Sequence, residues 1–462
     1  MTDGRGERIE RAQEALQQQQ PAVALAALEG LTGDVQIEVL RGRALNNLRR
    51  LDEAEAAFLR ATELSPGHAE AWHNLGHVRW IRGELVGAKE AFGEALNRAP
   101  GDVRSLHKLG LIANDENHPE EAERLLRMAL EIEDLPKVRT HLATVLHKRG
   151  ADAEAEAELR IAAAMLPEDP EVLTNLAVVL EAVDRLDEAE AALRGALAAA
   201  PNDPRILEDF AYLEMRRGQP AAAIEASDRC LALVPGHAGA LSIRVPALYA
   251  AGRAAEGDAL QDFELVREYQ IDELLPDQAM GALNTALAEH VTTHPSLRFE
   301  PAGHATRQGS HTADLLHGTL GPMAAFEDAL EVAVAEYVEA LPEDPAHPLN
   351  QRRPAHWQLT AWSVVMDAQG HQLPHVHPAA WVSGVYYVQI PQVVRGSDPH
   401  HAGWIEFGEP PAEFAMPGGH PTQRYHPVEG RMFLFPSWYW HRTLPFQSET
   451  QRICIAFDVL PA

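Results

Sequence analysis

Residues 69–100 read AEAWHNLGHVRWIRGELVGAKEAFGEALNRAP. Two runs with apolar residues at helical spacing, parted at Gly83 and closed by Pro100, describe a pair of amphipathic helices and a turn. The pattern spreads outward in both directions. Prolines close successive units at Pro66, Pro100, Pro167, Pro201 and Pro235, with gaps of 34, 67, 34 and 34 residues, the 67 spanning one shortened unit. Small residues keep the same beat at Gly42, Gly76, Gly110, Ala143, Ala177 and Ala211, and again at Ala54, Ala88, Ala122, Ala155, Ala189 and Ala223. A small side chain is needed where two helices cross closely. The proline stops the second helix and sets the turn into the next unit.

These in-register copies resemble the tetratricopeptide-repeat (TPR) family, most fully at Trp72, Leu75, Gly76, Ala88, Phe92 and Pro100. The expected organisation is a degenerate helix pair over 1–34, about six TPR repeats over 35–237 and capping helices over 238–271. The resemblance implies a concave groove that takes a peptide or protein. Asn74, Arg79, Lys108 and Asn175 are its candidate residues. The plainer alternative is a scaffold that serves assembly.

The chain is 462 residues long with 46% apolar residues, enough for two or three domains with sizeable cores. Its net charge of −29 disfavours nucleic acid and anionic lipid, both of which need a basic footprint. Two cysteines, Cys230 and Cys454, support neither a disulfide framework nor a cysteine-rich zinc site. The first residues, MTDGRGERIERAQEALQQQQ, hold no apolar core of leader length, and no run approaches the ~20 apolar residues of a membrane span. The expectation is a cytoplasmic protein with neither nucleic-acid nor membrane partners. Its oligomeric state is not legible.

Beyond about residue 255 the repeat stops. Helical stretches at DELLPDQAMGALNTALAEHVTTH and PMAAFEDALEVAVAEYVEALP flank a segment rich in Gly, His and Thr over 300–320. From Trp357 the texture turns to short runs of Val, Ile, Tyr, Phe and Trp split by Pro and Gly. Strands are expected at 357–366, 382–390, 403–407, 431–435 and 451–459, in a compact antiparallel barrel with helices outside. Histidines crowd this half. His375 and His377 form His-Val-His before Pro378; on a strand, residues two apart share a face, so both imidazoles can meet one ion. His441 ends the run GRMFLFPSWYWH, where it can add a third ligand and leave positions open, as in non-haem iron sites. Arg452 follows with ten residues between, on the apolar run RICIAFDV, where a guanidinium is costly unless an anion meets it. The other histidines at 371, 400, 401, 420 and 426 read as loop residues.

HVHPAAWVSGVYYVQIP, GWIEF and GRMFLFPSWYWHRTLPFQSETQRICIAFDV together resemble the 2-oxoglutarate/iron(II) oxygenases of the prolyl-hydroxylase-like double-stranded β-helix superfamily, over roughly residues 270–462. The resemblance implies Fe(II), 2-oxoglutarate and O2, and a hydroxylation coupled to conversion of 2-oxoglutarate to succinate and CO2. It assigns His375, His377 and His441 to the metal and Arg452 with Tyr387 to 2-oxoglutarate. Tyr386, Trp362, Ser383 and Trp404 are further pocket candidates. Two departures stand out: His377 occupies a position where Asp is usual, and Cys454 one where Ser is common. The expected fold is therefore multidomain, an all-α TPR solenoid followed by a jelly-roll or cupin-like double-stranded β-helix with flanking helices. The oxygenase domain would fill 272–462, its barrel core about 357–462. The expected activity is hydroxylation of a peptide or protein side chain. The alternatives are the same chemistry on a small molecule, a non-catalytic interaction protein, and a three-histidine dioxygenase without cosubstrate, against which Arg452 argues.

Overall fold

The computed structural model describes residues 3–299, 305–395, 400–414, 416 and 418–462. Of the Gly-, His- and Thr-rich segment, 300–304 lies outside them. The chain divides into two compact units, Met1–Ala199 and Ala200–Ala462.

The first unit is a helical TPR solenoid. After Asp3–Gln17 and Pro21–Ala27 come five regular pairs, from Val35–Asn47 with Leu51–Leu64 to Pro170–Ala182 with Leu186–Ala199. The small residues of the repeat explain the pairing. A methyl group on Gly76 would lie 2.8 Å from the ring of Phe92, and one on Gly42 would lie 2.5 Å from Phe58, so each glycine lets an aromatic seat on the opposite helix. Helix starts recur on the same beat: Asp34, Asp102 and Asp169 side chains accept backbone N–H groups of the first turn, and His68 does so through Nδ1.

The second unit opens with two more helix pairs, Pro204–Arg216 with Pro220–Leu233 and Ala238–Ala250 with Ala254–Leu260. It continues into a curled antiparallel sheet of jelly-roll type. Its strands are β1 (Arg267–Gln270), β2 (Arg298–Phe299), β3 (Thr306–His311), β4 (Trp357–His375), β5 (Val382–Gln389), β6 (Ile405–Phe407), β7 (Gln423–Tyr425), β8 (Arg431–Pro436), β9 (His441–Thr443) and β10 (Arg452–Pro461). The order is β1-β8-β5-β10-β4-β9-β6-β7, with β3 joining β4 to β2. Half of these strands were not expected. The capping region ends its helices at Leu260 and then gives β1, which pairs with β8. The segment after 305 supplies β3. The first barrel strand runs on from Met366 to His375, so β4 pairs with β10 by its first half and reaches β9 with its last residues.

Alternation along the inner strands sorts core from cavity. On β10, Ile453, Ile455 and Phe457 pack outward under the helices Met280–Thr292 and Met323–Glu339, while Arg452, Cys454, Ala456 and Asp458 face inward. Phe326 of the second of these helices packs at a tilt on Tyr386 at 5.1 Å and edge-to-face on Phe457 at 6.4 Å, closing the outer face of β5 and β10.

Candidate metal and cosubstrate site

The register of the sheet brings the two ends of the barrel sequence together. His375, the last residue of β4, is the cross-strand partner of His441, the first of β9, and their rings lie 4.1 Å apart. His377 arrives differently from expectation. It lies past the end of β4, in a turn whose backbone N–H donates to Ser437 O at 3.0 Å, and that turn swings its ring to 5.4 Å from His375 and 5.1 Å from His441. One ligand atom from each of the three lies within 4.8 Å of the other two.

The hydrogen bonds set the tautomers. His375 Nδ1–H donates to Leu373 O at 2.9 Å and His441 Nδ1–H to Tyr439 O at 3.0 Å. His377 Nδ1–H donates to the Asp458 carboxylate at 2.7 Å. Each Nε2 is left with a lone pair, as metal binding requires. Desolvation, reinforced by the neighbouring His377, holds His375 neutral down to about 3, and burial beside the other two histidines keeps His441 well below its ordinary value.

A cavity of about 320 Å³ extends from these histidines into the barrel. At its inner end the Arg452 side chain is fully buried. Among the described residues its guanidinium bonds Thr443 Oγ1 at 3.3 Å and Met366 Sδ at 3.4 Å, its Nε has no partner, and no carboxylate pairs with it. The Tyr387 hydroxyl beside it is also buried without a hydrogen-bond partner, and the guanidinium lies 5.2 Å from the Tyr387 ring centre. Among the described residues this leaves a buried cation without a counter-ion beside a buried phenol without an acceptor. A carboxylate entering the cavity satisfies both, and three convergent imidazoles suit a divalent transition metal. The residues present therefore fit iron(II) with a dicarboxylic acid.

Trp362 also lines the cavity, its ring 5.6 Å from that of His377. Three other candidates stand elsewhere. Tyr386 is one residue out of phase with Tyr387, so it points out of the barrel and bonds Asn284. Ser383 is in phase with Tyr387 but does not itself line the cavity; its hydroxyl donates to the cavity-lining Asp458 at 2.6 Å. Trp404 is held between His401 and His426, away from the cavity. Gln372, His311 and Thr443 complete the polar lining and were not foreseen, and neither was Asp458.

In the first unit, Asn74 Nδ2 is buried without a partner, and so are Asn46 Oδ1 and His77 Nδ1. Lys108 lies over the Trp80 ring at 3.9 Å. Asn46, Arg49, His77 and Trp80 line one recess. Asn175 is turned onto its own helix, donating to Glu171 O at 2.8 Å. Arg79 is taken up by Glu55 at 2.8 Å and is not available as a groove residue. A signal for this face was present: His73, His107, His141 and Asn175 stand 34 residues apart, and His107 Nε2 meets His141 Nδ1 at 2.8 Å.

The family model described as "Putative 2OG-Fe(II) oxygenase" matches residues 360–458, a span that holds all three histidines, Tyr387, Arg452 and Asp458. A tetratricopeptide-repeat model matches 9–69, 39–103 and 140–204. Tetratricopeptide repeat protein 5 of Mus musculus is 33% identical over 100 residues, which is 21% of this chain and 22% of that protein. The Homo sapiens protein of the same name is 35% identical over 81 residues, 17% of this chain and 18% of that one. The chain thus spans about a fifth of the length of these curated relatives. Among solved structures, the Cut9–Hcn1 hetero-tetramer of APC/C aligns at 17% identity over 53% of this chain and 47% of that chain, with a TM-score of 0.45. PilF of Pseudomonas aeruginosa aligns at 19% identity over 45% and 94%, with a TM-score of 0.41. No helix among the described residues is long and apolar enough to cross a membrane. The chain thus carries tetratricopeptide repeats followed, over residues 360–458, by a segment that matches the 2OG-Fe(II) oxygenase family model.

Proposed function

We propose that this protein is an Fe(II)- and 2-oxoglutarate-dependent dioxygenase that hydroxylates a side chain of a peptide or protein presented with help from its repeats. One observation carries the reading: a convergent three-histidine set shares a cavity with a buried guanidinium that has no counter-ion among the described residues. His375, His377 and His441 would hold the metal through Nε2, and Arg452 with Tyr387 would grip the far carboxylate of 2-oxoglutarate. Iron(II) in that place supplies the redox chemistry that couples oxidative decarboxylation of the cosubstrate to hydroxylation of a C–H bond.

The chain's own residues orient and exclude. Cys454 and Ala456 on β10 keep the floor of the cavity low between Arg452 and Asp458. Val364, Val385, Ile405 and Phe435 line it with apolar surface, so that the bond to be attacked is presented in a dry environment. The preference for a macromolecular substrate is supported by the recess on the repeats lined by Asn46, Arg49, His77 and Trp80, which sets hydrogen-bonding groups beside an aromatic wall as a peptide groove requires.

The test is succinate formation by the full-length protein supplied with Fe(II), 2-oxoglutarate and O2, followed by a search for the mass of one added oxygen in partners captured by His441→Ala and then treated with the wild-type protein and both cosubstrates. Expected are turnover in the wild type, none in His441→Ala, and a hydroxylated peptide among the captured partners. Undiminished succinate from His441→Ala would end the metal assignment. Turnover that persists without 2-oxoglutarate would favour the three-histidine alternative.

A further inference from the structure

The three histidines differ in what stands behind them. His375 and His441 each donate Nδ1–H to a neutral backbone carbonyl, whereas His377 donates to a carboxylate. Asp458 is placed for this by the sheet. It is the cross-strand partner of Ser383, whose hydroxyl donates to the same Oδ1 at 2.6 Å, and its surface is nearly all covered. The His377 ring is fixed from above by Trp362 and at its backbone by Ser437 O. Among the described residues no arginine or lysine pairs with Asp458.

We infer that Asp458 is a positioning residue that confers anionic character on the metal centre through His377, taking over the charge that a directly bound carboxylate supplies in the commoner ligand set. A carboxylate behind an imidazole fixes its tautomer and strengthens it as a ligand, and three neutral donors otherwise leave the divalent charge uncompensated. Ser383 holds the carboxylate in line. This rests on the metal-centre reading above.

The experiment titrates Co(II) into the full-length protein and reads affinity from the visible absorption of the bound ion, with the folded state checked by circular dichroism. Asp458→Asn keeps an acceptor for Nδ1–H and removes only the charge. It is expected to weaken Co(II) binding roughly 10- to 100-fold, the range common for such outer partners, with Ser383→Ala showing a smaller loss. His377→Asp sets the sign test. There a carboxylate at 377 faces Asp458 as a like charge, so adding Asp458→Asn should leave binding unchanged or tighten it. Wild-type affinity in Asp458→Asn, or the same loss in both backgrounds, would overturn the inference while His441→Ala still abolished binding. If His441→Ala also bound Co(II) as the wild type does, the metal centre itself would be wrong.

Discussion

Arg452 is the residue whose surroundings make the strongest demand. A buried charge without a partner costs several kcal/mol, and replacing it with an apolar residue of similar reach commonly stabilises a fold. Arg452→Met should therefore make the ligand-free protein more stable, by about 1–3 kcal/mol, and should remove the rise in melting temperature that 2-oxoglutarate confers on the wild type. Co(II) should still bind, because none of the three imidazoles touches the guanidinium. Thermal melts with and without 2-oxoglutarate decide it; an Arg452→Met protein that 2-oxoglutarate still stabilised would put the cosubstrate elsewhere. At this scale the sequence was readable where chemistry is local: His-Val-His, the terminal His441 and an arginine among apolar residues announce themselves. It was not readable where parity or distance decides. Nothing in Tyr386-Tyr387 says which of the pair faces inward, since one step along a strand exchanges the faces. Asp458 lies 81 residues from His377 and meets it only because β10 runs beside β4 and β5.

Among the elements, helices were legible because a repeat states each one several times, whereas β7 and β9, three residues each, are too short to display any period. The helix Pro204–Arg216 carries a less visible feature. Its Glu208 carboxyl lies against Gly239 of the helix Ala238–Ala250, and burial, with Asp209 adjoining, raises it to about 7. His237 Nδ1 is 3.9 Å away, but burial and Arg352 keep that imidazole from charging readily. The fold thus keeps a proton that the unfolded chain has already released, so this group's contribution to stability declines as pH rises from about 4.5 to about 7, and the full penalty stays in force above that. Glu208→Gln should raise the melting temperature at about pH 8 and change it little near pH 4.5. An equal shift at both pH values would mean that packing, not charge, governs the site.

Over the whole molecule, the repeat in the sequence and the physical unit end in different places. The 34-residue beat runs to Pro235, yet the compact unit holding the barrel begins at Ala200. Periodicity records which helices resemble one another, not what they pack against. The turn bearing His441 is fastened to the last helices and the segment after them: Trp438 Nε1 donates to Leu260 O at 3.1 Å, the Tyr439 hydroxyl to Asp262 O at 2.9 Å and Trp440 Nε1 to Ser242 O at 2.7 Å. The loop after His377 is fastened likewise. Arg352 spans the carbonyls of Ala379 and Ala380 at 3.0 Å each, and Gly236, in the turn after Leu233, sits so close to Arg352 that a methyl group there would come within 2.7 Å of it. Cutting the chain at 272 removes the acceptors of these three aromatic side chains, uncovers their apolar surface at about 1–3 kcal/mol apiece and removes β1 from β8, a loss comparable to the 5–15 kcal/mol that holds a typical domain folded. Residues 272–462 alone should therefore be unfolded or aggregated and bind no Co(II), whereas 200–462 should melt in one cooperative transition and bind Co(II) as the full chain does. Calorimetry and Co(II) titration on the two fragments settle it. A well-folded, metal-binding 272–462 would show that the last repeats merely lean on the barrel, and the three aromatic anchors would then carry no weight in placing His441.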